Sequence, residues 1–207
     1  YGGMVDRVLM RLTEVFQAKF SGAGGKIVGV EAYSKGDTDF RAQLTNIKKL
    51  KPEGLYVPGY YQDVALIAEQ AKELGLKTVM MGGDGIATDE FAALGGPGTE
   101  GTLMTFGPDP QKRPEAQAVL EKFKARNFKP EAYTLYAYAS VQVIAEAAKA
   151  INSLDPVKVA AEIRTGKTYK TVIGDLSFDS KGDVTRIDYV MYTWKTQPDG
   201  TISYVQN

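Results

Sequence analysis

The chain has 207 residues, room for one large domain or two small lobes, and its 43% hydrophobic and 24% charged residues exclude disordered, collagenous and coiled-coil classes. Twenty-five basic residues offset twenty-five acidic ones, so no excess charge draws the chain to nucleic acid or anionic lipid. Histidine and cysteine are both absent, which removes Ser-His and Cys-His nucleophile systems, the usual zinc sites and disulfides. Carboxylate, tyrosine, lysine and hydroxyl chemistry remain.

Met4 to Phe20 predicts an amphipathic helix, because Val5, Leu9, Leu12, Phe16 and Phe20 recur every three or four residues among charges. The glycine-rich stretch Ser21 to Gly25 stops it, and the β-branched Ile27, Val28 and Val30 predict a strand over Lys26 to Tyr33. Asp37 or Thr38 is the expected cap of a second helix that carries Phe40, Leu44 and Ile47 and breaks at Lys51-Pro52. Gly54 to Pro58 reads as a short buried strand, Val64 to Leu74 as a helix closed by Gly75, and Lys77 to Met81 as the next strand. Thr88 to Leu94 is a short helix and Gly101 to Phe106 a further strand. Strands joined by crossover helices pair in parallel through right-handed βαβ units, so the first half is an α/β unit: an open parallel sheet with helices on both faces.

Gly107-Pro-Asp-Pro110 marks a hinge or linker. Three helices follow, over Pro114 to Asn127, over Glu131 to Ile151, and from an Asp155 cap with Pro156 at the first helical position. From Lys170 the pattern turns antiparallel: a strand over Gly174 to Phe178, a turn over Asp179 to Asp183, a strand over Arg186 to Lys195, and a Pro198-Asp-Gly turn into Thr201 to Val205. Three helices beside hairpin strands alone make a poor core. The second lobe is therefore expected to be incomplete, its helices covered by the first sheet, by another copy of the chain, or by a preceding segment, and the opening at Tyr1 directly before a helix favours the last.

Open parallel sheets bind ligands beyond the carboxyl ends of their strands. Tyr60 follows the strand ending at Pro58, and Asp84 follows the next strand within Gly82-Gly83-Asp84-Gly85, which places both on one rim. A carboxylate beside a tyrosine face suits a small cationic or zwitterionic ligand, since each charged hydrogen bond to an ammonium contributes about 1.5–3 kcal/mol. The competing interpretation is plain turn chemistry and rim packing. The glycines lack the phosphate-binding frame, so a nucleotide is disfavoured and no cofactor is expected. Asp37 with Asp39, and Asp89 with Glu90, are expected in solvated helix-cap roles rather than in a metal or catalytic site. Tyr133, Tyr136 and Tyr138 are expected in the core, with one ring facing a cleft.

Asp37-Thr-Asp-Phe40, Gly59-Tyr-Tyr61, Leu74-Gly-Leu-Lys77, Met81-Gly-Gly-Asp-Gly85, Glu100-Gly101, Tyr138-Ala-Ser-Val-Gln142, Phe178-Asp-Ser-Lys-Gly-Asp183 and Tyr192-Thr-Trp194 stand in an order and spacing that resembles the C-terminal part of the leucine/isoleucine/valine-binding proteins. These are the solute receptors of branched-chain amino acid ABC transporters, with the type I periplasmic-binding fold. The resemblance runs from about Gly25 to Trp194. It implies two α/β lobes joined by three hinge strands and closing on an amino acid, with no reaction catalysed. Residues 1–106 with 187–207 would form the second, ligand-binding lobe, flavodoxin-like, and residues 107–186 the C-terminal part of the first lobe, whose N-terminal part has no counterpart here.

By the same resemblance Asp84 would bind the α-ammonium, Tyr60 would pack on and hydrogen-bond the ligand, and Tyr1 and Tyr133 would line the cleft. Aspartate stands where branched-chain receptors often carry glutamate, which leaves the amino acid open. The implied partners are a small amino acid and a transporter permease. The implied location is the periplasm, or the outer surface through a lipid anchor, after removal of a signal peptide. Two rival readings remain: a truncated or engineered scaffold that self-associates as a homodimer through Met4 to Phe20 and the later helices, and an enzyme using Asp84 and Tyr60 as acid and base.

Overall fold

A computed structural model describes the backbone of residues 2–186 and 188–207, and the side chains of those residues from Arg7 onward. The chain forms two compact units, one of residues up to Phe106 with Val190–Asn207 and one of Gly107–Tyr189. Among the described residues no helix is long and apolar enough to cross a membrane.

The first unit opens with helix α1 (Gly2–Gly22), followed by α2 (Arg41–Leu50), strand β1 (Gly54–Tyr56), α3 (Tyr61–Glu73), β2 (Val79–Gly82), α4 (Asp89–Gly95) and β3 (Leu103–Phe106). The strands β6 (Val190–Thr196) and β7 (Ile202–Gln206) complete its five-stranded sheet, in the order β1-β2-β3-β6-β7. β1, β2 and β3 are parallel, as the alternation of strand and helix predicts. β6 and β7 add to the β3 edge in antiparallel sense, from Phe106↔Val190 at one end of the β3–β6 ladder.

Helix α3 is the centre of this unit because its buried side is built of short side chains: Val64, Ala65, Ile67, Ala68 and Ala71. The segment after α4 approaches so closely that a β-carbon on Gly98 would lie 2.7 Å from the Glu69 α-carbon, and one on Gly95 2.9 Å from the Ala65 carbonyl. On the sheet, fully buried Trp194 of β6 meets Phe91 at 5.0 Å and Tyr204 at 5.1 Å between ring centroids, the first pair tilted and the second edge-on, the latter a geometry that aromatic quadrupoles favour.

Two expectations fail here. Lys26 to Tyr33 is not a strand: it runs without ladder bonds, with Val28 and Val30 exposed. It is tied down by Tyr33, whose hydroxyl donates to the Pro58 carbonyl (3.1 Å) and whose ring meets Phe40 edge-on at 5.5 Å, and by Gln43 donating to the Ala32 carbonyl. β-branched residues form a strand only where a neighbouring strand takes up their backbone groups, and no described strand does so. Neither Asp37 nor Thr38 caps α2. Asp37 accepts from Ser34 N–H, while the turn before the helix is held by Gln70, whose amide accepts from Phe40 N–H (2.7 Å) and donates to the Thr38 carbonyl (2.8 Å).

The second unit holds α5 (Gln117–Ala125), α6 (Thr134–Ala150), α7 (Pro156–Ile163) and a hairpin of β4 (Tyr169–Thr171) with β5 (Gly174–Leu176). Leu135, Ala139, Val143 and Ala147, four apart along α6, pack with Val119, Val159, Tyr169, Ile173 and Leu176. Gln142 ties the hairpin to α6 by accepting from Val172 N–H (2.9 Å). Asp155 caps α7 as expected, accepting from Val157 and Lys158 N–H. The other side of α6 leaves Val141 and Ile144 exposed. The tyrosine cluster is not core: Tyr133 and Tyr138 are 47% and 38% exposed, and only Tyr136 packs against the buried cluster, its hydroxyl donating to the Pro108 carbonyl.

Candidate binding site

β1 and β2 run side by side with Tyr56 in register with Met81, and Val57 N–H donates to the Met81 carbonyl (2.8 Å). Their carboxyl ends therefore stand level. Beyond β1 the chain turns through Pro58-Gly59 to Tyr60, which is extended (φ −95°, ψ 161°) at the N-cap of α3 and 38% exposed. Beyond β2, Gly83 leads to Asp84, the first residue of a 3-10 turn over Asp84–Ile86 closed by Ala87 N–H on the Asp84 carbonyl.

The two loops touch. A β-carbon built on Gly85 would lie 2.5 Å from the Gly59 carbonyl oxygen and 3.5 Å from a ring carbon of Tyr60. The backbone of the Asp84 turn thus rests on the backbone that presents Tyr60, and the Asp84 side chain, half-buried, starts one residue away.

Tyr56 joins them. Burial raises its phenol above the ordinary range, and the negative charge of Asp84 raises it further, because a nearby anion disfavours a second one. Phe16 of α1 stacks on the Tyr56 ring at 4.0 Å. Behind the rim, burial and then the charge of Asp63 push the Tyr33 phenol up to about 12, so Tyr33 stays a neutral donor to the Pro58 carbonyl.

Of the four sequence-predicted site residues, the structure brings Tyr60 and Asp84 together on one rim of the first unit. Tyr133 belongs to the second unit, at the N-cap of α6. Tyr1 lies outside the described residues. Tyr56 carries no recognisable motif in the sequence, and Gly85 stands there only as the last residue of Met81-Gly-Gly-Asp-Gly85; the contacts of both on the rim depend on the β1–β2 register, which only the fold supplies. Among the described residues no group of three or more acidic side chains could hold a metal ion. At the ends of parallel strands, a carboxylate can accept hydrogen bonds from a cation and a tyrosine on the same rim can pack an aliphatic body against its ring face.

The family model for periplasmic binding proteins matches residues 11–201. The chain belongs to that family. It is 41% identical over 207 residues to the Leu/Ile/Val-binding protein homolog 1 of Brucella suis, a match that covers 100% of this chain and 54% of the relative. It is 40% identical over 185 residues to an amino acid binding protein of Pseudomonas aeruginosa, covering 88% of this chain and 49% of that one. Among solved structures, the leucine binding protein LivK of Thermotoga maritima superposes with a TM-score of 0.82 at 30% identity, over 94% of this chain and 55% of that chain. The branched-chain amino acid transporter substrate binding protein LivJ of Streptococcus pneumoniae, in complex with isoleucine, gives 0.69 at 27% identity over 88% and 53%. The fold is that of the type I periplasmic binding proteins, and the chain spans about half the length of the curated relatives it matches.

Proposed function

We propose that these residues are part of a solute-binding protein of an ABC transporter, which takes a small, branched-chain amino acid and hands it to a membrane permease. The observation that supports this reading is the contact of Gly85, the neighbour of Asp84, with Gly59 and the Tyr60 ring, which joins the two loops. The relatives' names add support, because they are Leu/Ile/Val-binding or amino-acid-binding proteins. The first unit serves as the second, ligand-binding lobe and the second unit as part of the other. Asp84 accepts from the α-ammonium, Tyr60 packs on the ligand and hydrogen-bonds it, and Tyr133 and Tyr1 give further aromatic contacts.

The protein binds and releases its ligand without catalysing a reaction, in the periplasm or at the outer cell surface on a lipid anchor. An amino acid's affinity in this reading depends on being enclosed and desolvated, and these residues span only about half of the relatives' length. Titration of the isotope-labelled 207-residue chain with L-leucine, L-isoleucine and L-valine, followed by NMR, is expected to show weak, saturable shifts at Tyr60 and Asp84. No shift at either with any of the three overturns the assignment, and submicromolar affinity of this chain overturns the enclosure argument.

Self-association is the second reading, and it rests on α1, where Val8, Met10, Leu12 and Val15 are all at least 42% exposed. Sedimentation velocity separates the two, since a monomer at all concentrations removes the motive for a scaffold.

A further inference from the structure

Three glycines flank Asp84, and the space around them differs. A β-carbon on Gly83 would meet nothing within 4 Å, and the backbone there (φ −91°) accepts any residue. One on Gly82 would meet the side chain of Ile86, its tip at 2.9 Å, rather than main chain. Gly85 faces main chain, with the Gly59 carbonyl oxygen at 2.5 Å and its carbon at 3.4 Å. Gly85 is not among the residues with positive φ, so close approach rather than backbone conformation demands glycine.

We propose that Gly85 is a positioning residue for the amino-acid site: its bare α-carbon lets the Asp84 turn seat on the Gly59 carbonyl and the Tyr60 ring, holding the carboxylate beside the phenol. The inference rests on the amino-acid-binding function assigned to Asp84 and Tyr60. The Gly59 side of the contact is the fixed side. Val57 N–H is bonded to the Met81 carbonyl, the Pro58 carbonyl accepts from Tyr33, and Val64 N–H closes the first turn of α3 on the Tyr60 carbonyl (3.1 Å). The Asp84 turn is three residues of 3-10 helix with no side-chain cap. A methyl group at position 85 is therefore relieved by moving the turn, and Asp84 moves with it. Ligand groups act only while held close to their productive geometry.

The test compares Gly85→Ala with Gly83→Ala in the 207-residue chain, after urea unfolding followed at Trp194 shows each variant folded. The first readout needs no ligand: the Tyr56 phenol, assigned by Tyr56→Phe and titrated by NMR of labelled tyrosine. Gly85→Ala is expected to bring the Tyr56 titration down toward the ordinary range as the Asp84 charge moves off, and Gly83→Ala to leave it in place. The second readout is the NMR titration with L-leucine. Gly85→Ala is expected to weaken binding about 10- to 100-fold, the worth of one charged hydrogen bond, and Gly83→Ala by less than about twofold.

An unchanged Tyr56 titration in Gly85→Ala, or equal damage from both substitutions, overturns the proposal. If the parent chain binds no L-leucine, the functional reading fails while the Tyr56 titration still decides the positioning claim. Should Gly85→Ala not fold, the unaltered protein decides instead: a nuclear Overhauser contact between the Gly85 α-protons and the Tyr60 ring is expected, and its absence refutes the seating.

Discussion

Replacing Gln70 by leucine removes the two hydrogen bonds that hold the turn before α2 while keeping the volume of a buried side chain. Gln70 is 4% exposed and bonds Phe40 N–H at 2.7 Å and the Thr38 carbonyl at 2.8 Å. Phe40 is itself 1% exposed, so its amide has no water to turn to, and a buried donor left unpaired costs about 1–3 kcal/mol. The Thr38 carbonyl sits on an exposed residue and recovers a water, which limits that loss to about 0.5–1.5 kcal/mol. The leucine side chain regains part of the sum through apolar burial, leaving a net loss of about 2–3 kcal/mol. Trp194 is the one tryptophan and lies fully buried in the first unit, so its fluorescence reports the unfolding of that unit alone. With an m-value of about 1–3 kcal/mol/M in urea, Gln70→Leu lowers the Trp194 midpoint by about 1 M. A shift below about 0.3 M refutes the view that Gln70 anchors this turn.

Other consequences are local. Asp155→Ala removes the cap that accepts from Val157 and Lys158 N–H and is expected to destabilise the second unit by about 0.5–2 kcal/mol, read by hydrogen exchange of α7 amides; unchanged exchange contradicts it. The Tyr33 phenol ionises at 10.0 when free and at about 12 in the fold, so the unfolded chain loses its proton first. The stability from keeping Tyr33 neutral is full below the lower value and declines as pH rises toward the upper one. Tyr33→Phe is expected to flatten this decline in alkaline urea titrations, and a slope equal to that of the parent contradicts the assignment.

The parallel run β1-β2-β3 was legible because its strands alternate with helices of clear periodicity, and α7 because Asp155-Pro156 is a strong local start signal. Lys26 to Tyr33 misled because its residues are as strand-like as those of β2, yet whether such a segment pairs depends on neighbours distant in sequence. The start of α2 misled for a related reason. Its turn is fixed from 30 residues away by Gln70, while Asp37 and Asp39 are spent on nearby amides. At the candidate site, the Tyr60 and Asp84 side chains could be placed on one rim from their positions after adjacent strands. Tyr56 could not, because its role comes from burial and the Asp84 charge rather than from spacing. Tyr133 and Tyr138 look like core by composition, yet Tyr133 stands at the N-cap of α6 and Tyr138 at the border of its buried face, edge-on to Phe123, and both stay exposed.

The most direct measurement is a paired NMR titration of the parent chain and Asp84→Asn with L-leucine. Asparagine keeps the shape of the turn and removes the charge. If Asp84 takes the α-ammonium, the neutral variant binds about 10- to 100-fold more weakly, with shifts at Tyr60 fading in step. Equal binding by the two proteins, or shifts confined to residues away from Tyr60 and Asp84, contradicts the assignment.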